Sequence, residues 1–404
     1  MTQPQHNDPA ITAAIVAGSI VAFVGFGFSA TFGVFLSPVT VANGWGREVF
    51  SLSFAVQLIF WGLTQPLAGM VADRYGTARV LAFGALAAAL GFLGRAVYAD
   101  PALFIAAGAI VGIGTGACSF PVVIVALGKI VPPDRRSFVM GLGTAAASAG
   151  MFTAAPLSLF LIRYFGWNTA LYVIAASFLL ILPALAFIAR VSRPTASGTP
   201  GGVRTAVRTA FADPAFVLLF FGFFVCGFHV AFIQGHLPSY ITDQGLAASV
   251  GSWSLALIGL FNIAGSFASG WSGQVLSKKK VLAGIYFARA ALIGAFIVLP
   301  LTPATVIVFS ALMGLLWLST VPLTTGLVAQ TQGLGYLSTL AGLVFLSHQT
   351  GSFLGAWLGG RIYDLYQDYM PMWWAAVALG LLATLIHLPI RETPGPLARA
   401  EIRR

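Results

Sequence analysis

The chain has 404 residues, of which 58% are hydrophobic and only 8% are charged, and its formal net charge is +10. Soluble globular proteins carry about 25% charged residues, so this composition cannot supply the surface of a water-soluble protein. The 46 glycines follow no triplet period and there are only 2 cysteines, which excludes collagen and a disulfide scaffold and leaves a polytopic membrane protein.

The predicted elements are twelve membrane-spanning helices. A spanning helix needs about 20 apolar residues, and the apolar segments lack the ten-residue alternation of a lipid-exposed β-barrel. The predicted fold class is therefore an all-α membrane protein. In chain order the predicted spans cover roughly 12–35, 48–70, 79–98, 102–127, 137–162, 168–189, 215–238, 251–273, 281–299, 304–328, 337–360 and 371–390.

The chain divides into two halves. Residues 190–213 form a long polar stretch rich in Gly, Ser, Thr, Pro and Arg, which predicts a cytoplasmic linker between six-helix bundles at 1–189 and 214–404. The halves repeat weakly at an offset of 201 residues, which aligns Pro121 with Pro322 and Gly150 with Gly351. Parallel six-helix repeats indicate a transporter built from two pseudo-symmetric bundles.

The distribution of Lys and Arg predicts the orientation. With the amino terminus in the cytoplasm, sixteen of the 21 basic residues fall in inner loops and the tail, four fall outside, and Arg289 lies within a span. This distribution obeys the positive-inside rule. We therefore expect a multi-pass protein of a cell inner membrane, with both termini cytoplasmic. The basicity is explained by topology and by contact with the lipid bilayer rather than by nucleic acid.

A loop between the second and third spans carries a motif. It reads GMVADRYGTAR at 69–79 and resembles the signature loop of the major facilitator superfamily. Together with the spans and the linker, this resemblance covers nearly the whole chain. It implies two bundles that rock about a central cavity, and a gating latch formed by the loop in the outward-open state. The motif residues are Gly69, Asp73, Arg74, Gly76 and Arg79.

Within that superfamily, four stretches are similar to the monocarboxylate-porter-like branch. Two features of the animal members are missing: the acidic-Gly-aromatic signature of the first helix, and the acid–arginine pair of the eighth, where Asn262 and Ser266 align. A lactate-plus-proton mechanism therefore does not follow from this resemblance. The four stretches are FSATFGVFLSP at 28–38, WGREVFSLSFAV at 45–56, WGLTQPLAG at 61–69 and RRSFVMGLGTAAASAG at 135–150.

The charged residues inside the spans indicate the class of substrate. None of the 11 acids falls in the middle of a span, whereas Arg289, His229 and His348 do. Charged groups within a membrane are costly and mark functional sites. The absence of a mid-span acid disfavours a carboxylate relay and a site for organic cations, and it favours a neutral or anionic substrate.

The repeat predicts an asymmetric cavity. At the same offset, His229 aligns with Phe28, and Asn262 aligns with Trp61. We therefore expect a carboxy-terminal wall that hydrogen-bonds a carboxylate or amide, and an amino-terminal wall that packs an organic body. The candidate substrate-binding residues are His229, His348, Gln349, Asn262, Gln57, Trp61, Phe28, Phe120, Trp317 and Arg289.

Structural roles are an alternative for several of these residues. His229 could bond a neighbouring helix carbonyl, and Asn262 could join two helices. Arg289 lies in a helix that is peripheral in the resembled family, so a structural role at helix carbonyls is the favoured interpretation there. Pro121 and Pro322 mark expected helix bends.

These patterns predict a monomeric secondary active transporter for a small organic anion such as a monocarboxylate. Coupling to protons is expected through His229 or His348, or through a proton carried by the substrate. No catalytic constellation, metal-ligand spacing or phosphate-binding loop is present, so no enzyme activity, metal or cofactor is predicted. The alternatives are an efflux transporter for amphipathic compounds and a transport-inactive membrane receptor.

Overall fold

The computed structural model of the chain describes residues 9–119, 122–123, 127, 131, 133–191, 202–333 and 335–402, with the exception of the side chains at 73, 133–138, 338 and 400–402. The described residues form helices and the turns between them, with no strand among them. The predicted all-α class is therefore confirmed.

The helices of the amino-terminal half follow the predicted spans. A short 3-10 helix, Phe32–Phe35, joins the first two of them. The helices are α1 (Pro9–Ala30), α2 (Leu36–Asn43), α3 (Arg47–Tyr75), α4 (Thr77–Val97), α5 (Pro101–Ala117), α6 (Pro133–Phe165), α7 (Trp167–Leu180) and α8 (Leu185–Val191).

The carboxy-terminal half repeats this order after a short helix, α9 (Val203–Phe211), which lies within the predicted linker. Ala206 and Ala210 of α9 are buried, whereas its two arginines are exposed. The remaining helices are α10 (Pro214–Asp243), α11 (Ala248–Val275), α12 (Lys278–Val298), α13 (Pro303–Leu316), α14 (Thr320–Gln332), α15 (Leu337–Tyr366), α16 (Met370–His387) and α17 (Pro396–Ile402).

Ten segments of the described chain are long and apolar enough to cross a membrane. The other two predicted spans correspond to α5, with 17 described residues, and to α15, with 30. At 1.5 Å per residue α15 is about 45 Å long, which exceeds the thickness of the hydrocarbon core.

Several helices begin where the sequence supplies a cap followed by proline. The Asp100 side chain accepts from the Leu103 N–H at the start of α5, and Asp213 accepts from the Ala215 N–H at the start of α10. Thr302 and Thr305 form a capping box at the start of α13. Each cap is followed by Pro at the first helical position, where its fixed φ suits the helix and no N–H is lost.

The offset of 201 residues recurs in the packing of the helices. A Cβ at Gly150 of α6 would lie 2.8 Å from the carbonyl carbon of Phe23 in α1, and its oxygen is closer still. A Cβ at Gly351 of α15 would lie 2.9 Å from the carbonyl carbon of Phe224 in α10, again with the oxygen closer. Phe23 and Phe224 are themselves 201 residues apart, so the same glycine-mediated contact is built once in each half.

The two halves meet closely at the membrane face opposite the chain termini, which we call the distal face; the face that carries the termini is the proximal face. A Cβ at Gly33 would lie 2.8 Å from the carbonyl oxygen of Gly235, with the Gln234 oxygen closer. The Ser37 and Ser239 hydroxyls are 3.0 Å apart. Gly33 and Gln234 are related by the repeat, so the halves close on each other about their pseudo-two-fold axis.

Candidate functional site

Two polar contacts join the halves near the middle of the long helices. The Asn262 amide of α11 donates to the Ser148 hydroxyl of α6 at 2.9 Å, and the Gln349 amide of α15 donates to the Leu58 carbonyl of α3 at 2.9 Å. Ser148 and Gln349 are equivalent in the repeat. A Cβ at Gly62 would lie 2.7 Å from the Gln349 side chain, so a glycine admits the second contact.

A row of aromatic rings crosses between the halves at the same level. Trp61 of α3 packs edge-on against Phe26 of α1, with centroids 6.3 Å apart, and against Phe345 of α15, at 6.4 Å. Phe345 stacks on the His348 imidazole at 5.7 Å. Phe223 of α10 packs tilted against the same imidazole at 4.8 Å. We call Gln57, Trp61, Phe345, His348 and Gln349 the central contact.

The hydrogen bonds of His348 fix its neutral tautomer. Because the Leu58 carbonyl can only accept, the Gln349 amide nitrogen faces it and the Gln349 Oε1 faces the His348 Nδ1 at 2.9 Å. Nδ1 therefore carries the hydrogen, and Nε2 is the bare acceptor. The Nε2 atom is buried and has no hydrogen-bond partner among the described residues.

Gln57 and Trp61 present further unpartnered groups. The two residues are one turn apart on α3 and share a face. Trp61 is 9% exposed and Gln57 is fully buried. In the described part of the chain, neither the Trp61 Nε1 nor the Gln57 Nε2 has a hydrogen-bond partner. Both nitrogens are donors, and donors are what the oxygens of a carboxylate accept from.

His229 points elsewhere. Its Nε2 lies 2.7 Å from the Ala376 carbonyl of α16, within the carboxy-terminal half, so Nε2 carries the hydrogen. A Cβ at Gly380 of the same helix would lie 3.3 Å from the His229 ring. His229 thus makes the structural contact that the sequence left open as an alternative, and it does not reach the central contact.

Arg289 holds a break in the tenth span, between α13 and α14. It is fully buried, its Nε donates to the Leu316 carbonyl at 3.2 Å, and its Nη2 donates to the Leu316 and Trp317 carbonyls. The Asn262 Oδ1 accepts from the Leu318 N–H at 3.0 Å. Neighbouring side chains therefore satisfy the backbone groups that the break releases, as irregular backbone at membrane depth requires. Pro322 follows the break, which is the bend expected there.

Arg95 is a residue whose position the sequence did not predict. The count of basic residues places it among the four on the outer side, with Arg47, Arg163 and Arg361, yet it is fully buried. Its guanidinium donates to the Gln57 Oε1 at 2.7 Å and to the Ser53 carbonyl at 2.9 Å, and it lies 4.2 Å from the Phe32 ring centroid. The apolar face of α3 carries Ser53 and Gln57 four residues apart, which is the one signal of a buried polar partner.

The remaining candidates are placed as follows. Phe28 is buried in α1. Trp317 is fully buried at the break, and its Nε1 has no partner among the described residues. Phe120 lies outside the described residues, as does the neighbouring Pro121. No group of three His, Cys, Asp or Glu that could hold a metal ion occurs in the described ranges.

The motif loop lies at the proximal face. Gly76 ends α3 and precedes α4 with φ +95°, a conformation that favours glycine. Arg74 and Arg79 are exposed. A Cβ at Gly69 would meet no atom within 4 Å. The Asp73 side chain lies outside the described part, and the latch stays a prediction.

Comparisons with known proteins agree with this architecture. The family model described as Major Facilitator Superfamily matches residues 18–356. The chain is 25% identical over 376 residues to monocarboxylate transporter 13 of Rattus norvegicus, covering 90% of this chain and 86% of that protein. It is 24% identical over 380 residues to the uncharacterized MFS-type transporter YcxA of Bacillus subtilis (strain 168), covering 89% and 90%.

The fold is similar to the crystal structure of a D-xylose-proton symporter. The TM-score is 0.71 and the sequence identity is 15%, over 95% of this chain and 97% of that chain. At that identity the likeness establishes the fold alone.

Proposed function

The chain belongs to the major facilitator superfamily and is a transporter rather than an enzyme, and from that premise we propose that it is a secondary active transporter for a small organic anion, such as a monocarboxylate. It works by alternating access, with the central contact in the path of the substrate. The alternatives from the sequence, an efflux transporter for amphipathic compounds and a transport-inactive receptor, become outcomes of the experiment below.

The sign of the buried charge carries the proposal. Among the described residues, the fully buried charged side chains are Arg95 and Arg289, and no acid is buried. Their hydrogen-bond partners are carbonyls, a hydroxyl, an amide and the Cys226 sulfur, and none of them is a carboxylate. Among the described residues, the buried interior therefore holds two arginines that no buried carboxylate offsets.

This charge favours an anion inside the protein. At a separation of about 10 Å and an effective dielectric constant of about 20, one fixed charge attracts a unit anion by roughly 1.7 kcal/mol. The same field repels an organic cation by a similar energy. The difference between the two classes of substrate is then on the order of 3 kcal/mol for each arginine at that separation.

The central contact supplies groups that fit a carboxylate. The Trp61 Nε1 and Gln57 Nε2 are unpartnered donors on one face of α3, and the His348 Nε2 of the other half is an unpartnered acceptor. The Phe26 and Phe345 rings offer apolar surface for an organic body. A carboxylic acid could give its proton to the His348 Nε2 without disturbing the bond at Nδ1.

The relatives support the same class of substrate. Several of them bear the name monocarboxylate transporter, and the structural neighbour is named as a proton symporter. We propose proton coupling with His348 as the proton acceptor, and assign His229 a structural role. We also propose that the proximal face is cytoplasmic, in an inner membrane, because the basic residues concentrate there.

The experiment is a thermal-stability assay of the purified protein with matched ligand pairs. A ligand that binds the native state adds RT ln(1 + [L]/Kd), about 2.7 kcal/mol at 100 times Kd. We expect at least one acid of a monocarboxylate panel that includes lactate to raise the melting temperature, and its neutral amide, lactamide in the case of lactate, to leave it unchanged. The shift should vanish in His348→Ala and persist in His229→Ala, the matched control.

Two results would overturn the proposal. If each acid and its amide gave equal shifts across a panel of such pairs, lactate and lactamide included, binding would not require a negative charge on the ligand. Shifts with quaternary ammonium compounds in place of acids would favour efflux of amphipathic compounds. A receptor would bind a ligand without moving it across the membrane of a proteoliposome.

A further inference from the structure

The first two residues of α3 are bound by the opposite half of the protein through both their backbones and their side chains. Helix α3 begins at Arg47, and the preceding N-cap residue, Gly46, has no side chain to accept the free N–H groups of the first turn. The Asp364 carboxylate of α15 accepts from the Arg47 N–H at 2.9 Å and from the Glu48 N–H at 2.8 Å. One helix is therefore capped by a residue more than 300 positions away.

The glycine at position 46 makes room for this cap. A Cβ there would lie 3.1 Å from the Asp364 carboxyl carbon, with one oxygen closer. The φ of Gly46 is −64°, which any residue adopts. The site thus excludes a side chain by contact with Asp364 and not by backbone strain.

The side chains of the same two residues form ion pairs with the other half. The Arg47 guanidinium makes two hydrogen bonds to the Asp243 carboxylate at the end of α10, at 2.6 and 2.7 Å. Glu48 accepts from the Trp357 indole at 3.0 Å and from Arg361 at 3.1 Å. Paired, charge-assisted bonds of this kind are short and specific in geometry.

A buried tyrosine extends the network into α10. The Arg47 guanidinium also donates to the Tyr369 hydroxyl at 2.8 Å and lies 3.7 Å from the Tyr363 ring centroid. Burial raises the pKa of Tyr369, so its hydroxyl stays protonated and can donate to the His236 Nδ1 at 3.1 Å. The His236 Nε2 in turn donates to the Ala356 carbonyl.

We propose that Arg47, Glu48, Asp243 and Asp364 form a distal lock, in which Asp364 caps α3 only while the distal face is closed. Opening that face separates α3 from α10 and α15, so the first turn of α3 loses its cap at the moment when the ion pairs break. The helix terminus thus contributes to the free energy that holds the distal face closed. Water must solvate the freed N–H groups and charges in the open form.

The test measures how often the distal face opens, and it needs no substrate. Ser239 is 3% exposed and faces Ser37 across the closed face, so Ser239→Cys reports opening through its reaction with a membrane-impermeant maleimide. The natural cysteines, Cys118 and Cys226, are buried and give a low background. The full chain is used in lipid nanodiscs.

We expect Asp364→Asn and Gly46→Ala each to raise the labelling rate roughly fivefold or more, because each weakens a charge-assisted cap. Asp368→Asn is the matched control, since its carboxylate caps the Met370 N–H in its own half, and it should leave the rate unchanged. Gly46→Ala retains every charge, so it separates the cap from the general electrostatics of the face.

Rates for both variants within twofold of the parent would overturn the proposal, and so would an equal rise in Asp368→Asn. Size-exclusion profiles and melting curves exclude misfolding as the cause of faster labelling. If Asp364→Asn fails to fold, Gly46→Ala alone decides. Because the assay contains no ligand, its outcome is independent of whether the substrate is an organic anion.

Discussion

Adding a single methyl group at Gly351 should loosen the contact between α10 and α15. An alanine Cβ there would lie 2.9 Å from the Phe224 carbonyl carbon, whereas non-bonded carbon atoms pack at about 3.5–4.0 Å. The two helices must therefore move apart by roughly 0.6–1.1 Å, a gap that forfeits a quarter to a half of the dispersion energy along the contact. Overpacking of this size costs about 1–3 kcal/mol, which exceeds the gain of up to about 1 kcal/mol in helix propensity.

The repeat supplies an equivalent site and the glycines supply controls. Gly150→Ala should destabilise the contact between α1 and α6 by a similar amount, because its Cβ would meet Phe23 in the same way. Gly270→Ala and Gly284→Ala place a Cβ where no atom lies within 4 Å. These two should leave stability unchanged or raise it by up to about 1 kcal/mol.

The buried cysteines provide the assay. Cys118 and Cys226 are both 0% exposed, so a thiol-reactive fluorogenic dye reports thermal unfolding of the protein in detergent. We expect Gly284→Ala to melt at or above the temperature of the parent protein, and Gly150→Ala and Gly351→Ala to melt below it. A Gly351→Ala protein that melts at or above the parent temperature would refute the packing argument.

The two buried arginines give further predictions. Arg289→Lys keeps the charge but loses the planar fork that holds the Leu316 and Trp317 carbonyls. We expect a loss of about 1–3 kcal/mol of stability in the same melting assay, with the affinity for acids retained. Lost affinity at unchanged stability would instead make Arg289 a substrate ligand. Arg95→Met removes one buried cation and leaves the Gln57 Oε1 and the Ser53 carbonyl without their donor. We expect the loss of these hydrogen bonds to destabilise the protein by about 1–3 kcal/mol. We expect the loss of the charge to weaken acid binding roughly tenfold, measured by calorimetry. Unchanged acid affinity in a folded Arg95→Met protein would contradict the role assigned to the buried positive charge.

The order of the helices and the repeat could be predicted because they depend on local composition and periodicity. The polar stretch at 190–213 and the 201-residue offset came from the sequence, and Gly150 and Gly351 occupy equivalent contacts in the structure. The break after Leu316 likewise follows from Pro322 and its neighbours. Such features need no knowledge of which helices touch.

The partners of the polar residues could not be predicted. Arg95 lies near a helix end, where a long side chain can reach water or turn inward; the position of Ser53 and Gln57 on the adjacent helix decides that it turns inward. His229 and His348 have the same residue type and similar depth in their spans. Only the packing shows that one bonds to α16 and that the other stacks on Phe345, which contacts Trp61 of the opposite half.

Uptake into proteoliposomes tests the central claim most directly. The protein is reconstituted, and accumulation of radiolabelled lactate and a panel of other monocarboxylates is measured with and without an inwardly directed proton gradient, against empty liposomes and against His348→Ala. We expect uptake of at least one acid above the empty control, increased by the gradient and lost in His348→Ala but retained in His229→Ala. Uptake of amphipathic cations with no acid carried, or no uptake of any acid by a protein that binds it, would contradict an organic-anion transporter.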